Sequence, residues 1–129
     1  MHTISEATSI GIHALKFLAM DPGKHLQVKA LAEKMHVSQA HLAKVMQRLV
    51  RAGLATSIRG PLGGFMMAKK PSEVSLFDIV DAVEGGMEKR DCLFKKRICR
   101  TPCPVRDFLH ESNEAYKEFL KKTTVEQIS

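Results

Sequence analysis

Along the first twenty residues, Ile4, Ala7, Gly11, Ala14, Leu15 and Leu18 recur at intervals of three and four, which predicts a helix with one apolar stripe turned to a core. The opposite face carries Glu6, His13, Phe17 and Met20, a mix too apolar for plain solvent exposure, so this face is expected to meet something else. QVKALAEKMHVSQAHLAKVMQRLVRAG then gives two short amphipathic patterns around a turn near His36 and Val37, with Ser38 placed as N-cap of the second. After Gly53, LATSIR and FMMAKK predict two short strands flanking Gly60, Pro61, Leu62, Gly63 and Gly64. Ser75 is placed as N-cap, with Asp78 in the first turn, of a helix over SLFDIVDAVEG that stops at Gly85 and Gly86. Pro104 suits the first position of a last helix, making Cys103 its N-cap residue. There Val105, Leu109, Ser112, Tyr116 and Phe119 alternate at intervals of four and three, with Phe108 and Ala115 alongside, as in a short coiled-coil seam.

This order predicts a mainly α fold with a small β-hairpin. Ala32 is small where two helices must cross, and Val37, Leu42 and Val45 fall where a helix-turn-helix needs apolar residues. The hairpin lies where a winged helix carries its wing. Three parts are expected: a winged helix-turn-helix domain over residues 1–85, a cysteine-containing loop over 86–103, and a dimerisation helix with a tail over 104–129. A homodimer matches a palindromic site on double-stranded DNA.

Charge sharpens that reading. The formal charge is +6 and the pI near 9.4, and from Lys34 to Ser72 there is no Asp or Glu while Lys34, Lys44, Arg48, Arg51, Arg59, Lys69 and Lys70 all occur. Such a stretch attracts phosphate along its whole length. The second helix of a helix-turn-helix leads into the major groove with its N-terminal residues, so Gln39, His41 and Lys44, followed by Gln47, Arg48 and Arg51, form the candidate reading face. Arg59, at the entrance to the glycine-rich turn, is placed to enter a minor groove. The glycines do not make a phosphate loop, for no Lys-Ser or Lys-Thr pair follows them. No nucleophile and base, and no paired carboxylates, converge on an enzyme motif. No apolar run approaches a membrane span and none carries a cleavage site, so a cytoplasmic location without membrane contact is expected.

Cys92, Cys99 and Cys103 are the chain's three cysteines, spaced C-x6-C-x3-C-P. An odd number of thiols without an export signal argues against a disulfide framework and leaves metal binding or thiol chemistry. Lys95, Lys96, Arg97 and Arg100 surround them, and positive charge favours thiolate. An electron-transfer protein would need the same cysteines but neither the acid-free helix-turn-helix nor the wing.

Taken together, VSQAHLAKVMQRLVRAGL, SIRGPLGGFMMAK, LFDIVDAVEG, the three cysteines before a long helix, and KKTTVEQI resemble the IscR/NsrR-type family of bacterial winged-helix regulators, over residues 1 to about 128. The resemblance implies a homodimeric transcription factor with an iron-sulfur cluster between the winged domain and the dimer helix. Through it the regulator senses redox state, nitric oxide or iron-sulfur status. It implies Cys92, Cys99 and Cys103 as ligands, and places Ser38, Gln39, His41, Lys44 and Arg59 at DNA-contacting positions. The chain departs from a familiar family pattern in its shorter last spacing and in Arg106, which stands where a histidine is often found. The fourth ligand is then expected from the first helix of the partner subunit, with His13 the candidate ahead of Glu6 and Ser9, and His110 as another. Imidazole ligation suits a [2Fe-2S] centre, favoured here over [4Fe-4S]. The alternative is a metal-free, thiol-based redox sensor of the same fold.

Overall fold

The computed structural model describes residues 4–86 and 101–129; Cys92 and Cys99 lie outside the described residues. The elements run α1 (Glu6–Ala19), α2 (Val28–Met35), α3 (Gln39–Arg51), β1 (Ala55–Ile58), β2 (Gly64–Met67), a short 3-10 turn (Pro71–Glu73), α4 (Leu76–Glu84), α5 (Pro104–Lys122) and α6 (Val125–Ile128). The predicted fold is the observed one, mainly helical with one antiparallel hairpin.

The local signals act as read. The Ser38 hydroxyl accepts from the His41 amide and starts α3. Ser75 and Asp78 form a reciprocal capping box on α4, which Gly85 ends in the left-handed conformation at φ 72°. Cys103 precedes α5 with Pro104 in the first turn. β1 lies one residue inside the predicted run at each end, β2 begins one residue before its run and ends three residues short of it, and the two pair from Ala55 with Met67 to Ile58 with Gly64.

One core joins all of it. Ala14, Leu15 and Leu18 of α1, Leu31 of α2, Leu42, Met46 and Leu49 of α3, Phe65 of β2, and Ile79 and Val83 of α4 are buried together. On α1 the predicted stripe is nearly right. Ile4 is 49% exposed and drops out, while Thr8 is buried in its place.

Two features lie beyond the sequence pattern. Leu26 pairs with Phe65 through N–H to O=C bonds of 2.9 Å in both directions, adding a third extended segment to the hairpin. The C-terminal tail is built into the domain, since Leu120 and Val125 lie in the shared core. The Leu76 amide donates to the Thr123 carbonyl at 2.8 Å and the Val125 amide to the Val74 carbonyl at 2.9 Å. The last helix is therefore anchored at its far end to the winged domain and is no free extension.

Of the predicted α5 stripe, Val105 and Phe119 are exposed, while Leu109, Ser112 and Tyr116 are half-buried. Tyr116 packs toward the chain's own core, next to buried Leu120. Left facing outward are Val105 at 46%, Phe108 at 67% and Phe119 at 59% exposure, with Ala115 between them. Positions 105, 108, 112, 115 and 119 alternate at three and four, so this neighbouring stripe has the heptad spacing as well.

Candidate DNA interface and cysteine junction

The outward face of α3 consists of Gln39, Ala40, Lys44, Gln47, Arg48 and Arg51, all exposed, while Leu42, Val45, Met46 and Leu49 hold the helix on the core. His41 is half-buried on the flank. The turn before α3 passes through His36 in the left-handed region at φ 54°, with the His36 and Val37 amides donating back to the end of α2. That reversal sets the angle between α2 and α3 and leaves the N-terminus of α3 at the surface.

Arg48 also bonds within the chain. Its Nη1 donates to the Val83 carbonyl at 2.6 Å, so the guanidinium ties α3 to the last turn of α4. That bond satisfies a helix-terminal carbonyl, and the residue stays exposed on the same helix as Lys44 and Arg51.

The wing is held tightly to the domain. A Cβ on Gly64 would lie 2.1 Å from the Leu26 carbonyl oxygen, and one on Gly63 would lie 2.0 Å from the Ile58 oxygen, so both positions require glycine. The Gly63 amide donates to the Gly60 carbonyl at 3.0 Å and closes a turn around Pro61 and Leu62. His25 Nε2 lies 2.7 Å from the Leu62 carbonyl; since that oxygen only accepts, Nε2 carries the proton. Arg59 is exposed at the base of this turn, as predicted.

At the opposite end of α4, a polar knot escaped the sequence reading. One Glu84 carboxylate oxygen accepts from Ser5 Oγ and, at 2.6 Å, from buried Thr8 Oγ1. The Ser5 hydroxyl also accepts from the Thr8 amide and caps α1. These hydrogen bonds, first Ser5 and then Thr8, hold the Glu84 carboxyl below its ordinary value, and the charge of Arg48 adds to them. Burial pushes the nearby Tyr116 phenol up, and the Glu84 carboxylate reinforces this. The last turn of α4 thus touches α1, α3 and α5 just before the chain continues to Cys92. Ser5 and Glu84 lie 79 residues apart, so no local pattern announced the pair.

His13 is exposed on α1, and its Nδ1 lies 2.7 Å from the Ser9 carbonyl and 3.4 Å from Ser9 Oγ. The carbonyl accepts only, so Nδ1 donates to it and fixes the ring, and Nε2 is the ring nitrogen left for another partner. Cys103 is half-buried at the start of α5 and its side chain makes no capping hydrogen bond. Thiol and imidazole are both suitable donors for an iron-sulfur cluster. Among the described residues, no three His, Cys, Asp or Glu side chains are grouped to hold a metal ion. Glu6 and His110 are exposed, as are Met20 and, in part, Phe17, whose ring carries the Lys34 ammonium 6.0 Å from its centre. No helix among the described residues is long and apolar enough to cross a membrane.

A family described as "Rrf2: Iron-dependent Transcriptional regulator" matches residues 4–129. The chain belongs to the Rrf2 family. Among its Rrf2 relatives, the HTH-type transcriptional regulator NsrR of Shouchella clausii (strain KSM-K16) is 30% identical over 129 residues, covering 97% of this chain and 87% of the relative. The NsrR of Bacillus subtilis (strain 168) is 29% identical over 129 residues, with 97% and 88% covered. Among solved structures, CymR, described as the global cysteine regulator of B. subtilis, superposes with a TM-score of 0.79 at 25% identity, covering 99% of this chain and 96% of CymR. The IscR of T. potens has the same fold, with a TM-score of 0.78 at 23% identity over 98% of this chain and 85% of its own. These sequence relatives are named as transcriptional regulators, not as enzymes, and a DNA-binding role in transcription follows for this Rrf2 chain.

Proposed function

We propose that this Rrf2 regulator is a cytoplasmic homodimer that binds a palindromic operator and senses redox state, nitric oxide or iron-sulfur status through an iron-sulfur cluster. The ligands in this reading are Cys92, Cys99 and Cys103, with His13 of the partner subunit completing a [2Fe-2S] site. The observation that carries it is His13: the Ser9 carbonyl accepts from its Nδ1 on an exposed helix face, which leaves Nε2 as the ring nitrogen for a ligand. When bound, the cluster supplies one-electron redox chemistry. The protein's part is to hold thiolates near basic side chains and to carry a displacement of the cysteine segment to the DNA-reading helix. Glu84 and Arg48 support that route, since Arg48 bonds the end of α4 to α3.

On DNA, Ser38 and Gln39 place the N-terminus of α3 against the phosphate backbone, His41 and Lys44 face base edges, and Arg59 enters the adjacent minor groove. Arg48, exposed beside them and bonded to the Val83 carbonyl, adds a phosphate contact. The outward stripe of Val105, Phe108, Ala115 and Phe119 is the surface for the second copy.

Anaerobic reconstitution followed by Mössbauer spectroscopy and iron and sulfide analysis tests the cluster. Cys92→Ala and Cys103→Ala should each abolish assembly, and His13→Ala should shift the spectrum or the reduction potential. Parental iron, spectrum and potential in His13→Ala would remove the partner ligand. Parental iron and sulfide in all the cysteine variants would remove the cluster. The thiol-based reading is favoured by one relative: the Staphylococcus aureus CymR, solved in an oxidized form, shares the fold at a TM-score of 0.80. Colourless anaerobic protein whose DNA binding responds to oxidant would select that alternative.

A further inference from the structure

Leu62 is 77% exposed, the highest value among the exposed large apolar side chains of the described residues, and it stands at the tip of the wing. A single exposed leucine is ordinary on a protein surface. This one differs in how its backbone is held. The Gly60–Gly63 hydrogen bond closes the turn, His25 Nε2 donates to the carbonyl of Leu62 itself at 2.7 Å, and the Leu26–Phe65 pair fastens the strand behind it. Gly63 and Gly64 seat the two limbs so closely that a methyl group at either would strike backbone. The tip thus fixes an apolar side chain in solvent, beside Arg59, in a stretch free of carboxylates.

We propose that Leu62 is a minor-groove reading residue, inserted beside Arg59, and that His25 is the positioning residue that holds it there. This rests on the DNA-binding reading above and extends it. A leucine next to a polyanion gains nothing from phosphate. The apolar surfaces open to it are the deoxyribose walls of the minor groove and the edge of a loosened base step, where Leu and Pro side chains act as wedges. Arg59 supplies the attraction to the groove's negative potential, and Leu62, a few residues on, supplies shape. The operator should then favour a flexible pyrimidine–purine step under the wing, and a guanine amino group there should obstruct the side chain.

The test uses the full-length dimer and duplexes that the wild-type protein selects from a random pool. Leu62→Ala should keep the wild-type melting temperature, because the side chain is exposed, yet lose about tenfold in affinity per DNA-binding head. Its salt dependence should be unchanged, whereas Arg59→Ala should lower the salt slope. Replacing adenine by 2,6-diaminopurine under the wing should weaken wild-type binding and leave Leu62→Ala indifferent. His25→Ala should weaken binding in the same direction, and Leu62→Met should restore most of the affinity. Equal affinity and equal diaminopurine sensitivity in Leu62→Ala and the wild type would overturn the assignment. A wild-type protein that selects no duplex would overturn the DNA reading beneath it.

Discussion

The wing and the C-terminal helix both leave large apolar side chains in solvent, but they do so in different ways. On the wing, Leu62 stands alone at the end of a glycine-locked turn, with backbone hydrogen bonds fixing its position from two sides. On α5, Val105, Phe108 and Phe119 line up along one face of a regular helix, next to a second face that the chain covers itself with Tyr116 and Leu120. A single fixed side chain suits a narrow groove, whereas a continuous stripe at heptad spacing suits another helix. The two exposed sets thus differ in shape, and the partners proposed for them differ accordingly.

The sharpest way to break this comparison is to mutate adjacent residues of α5. Leu120→Ala should cost about 2–5 kcal/mol of folding stability, since a buried side chain leaves a cavity. Phe119→Ala, its neighbour, should leave the unfolding of the isolated subunit within about 0.5 kcal/mol. Denaturant titration of both, with ultracentrifugation to follow association, separates the two faces. Phe108→Asp combined with Phe119→Asp should then yield folded monomers, whereas Leu62→Asp should leave the oligomeric state untouched.

On the wing, Gly64→Ala drives a methyl group into the Leu26 carbonyl. It should lower the melting temperature and detach the tip, and amide exchange at Leu26 and Phe65 would report the loss. Lys44→Ala and Arg59→Ala should weaken operator binding by about 1–3 kcal/mol without touching the fold, measured by anisotropy at several salt concentrations.

The smallest effect concerns the polar knot. Glu84 has a folded-state value below its ordinary 4.5, so its contribution is complete above the unfolded value and is lost as pH falls through the depressed one. Glu84→Gln should flatten this acid limb of the stability profile, while neutral-pH melting changes little. A pH profile identical to the wild type would show that the knot does not couple to folding.

Much of the fold was legible because the decisive interactions are local. Ser38, Ser75 with Asp78, Pro104 and Gly85 act within a turn of the chain, and their side chains have few alternatives. The candidate DNA residues followed from spacing and from a long stretch without carboxylates. The bond from Arg48 to a carbonyl 35 positions later was not legible in the same way, because periodicity tells which way a residue points and not what it meets there. His25 and Glu84 were overlooked because their partners, at Leu62 and at Ser5 with Thr8, lie far along the chain.

By itself the amino-acid order determined the elements, their caps, the glycines of the wing and the chemistry available at Cys92, Cys99, Cys103 and His13. It could not choose between the stripe through Leu109 and Tyr116 and the stripe through Phe108 and Ala115, because both satisfy three-and-four spacing on the same helix. Tertiary structure chose. Leu120 and Val125 enter the core, and the strand-like pairing of Ser75 with Thr124 locks the end of α5, which fixes the rotation of the helix. A helix's own hydrogen bonds are indifferent to rotation about its axis, so only contacts between elements distant in sequence settle which apolar face is covered and which stays exposed.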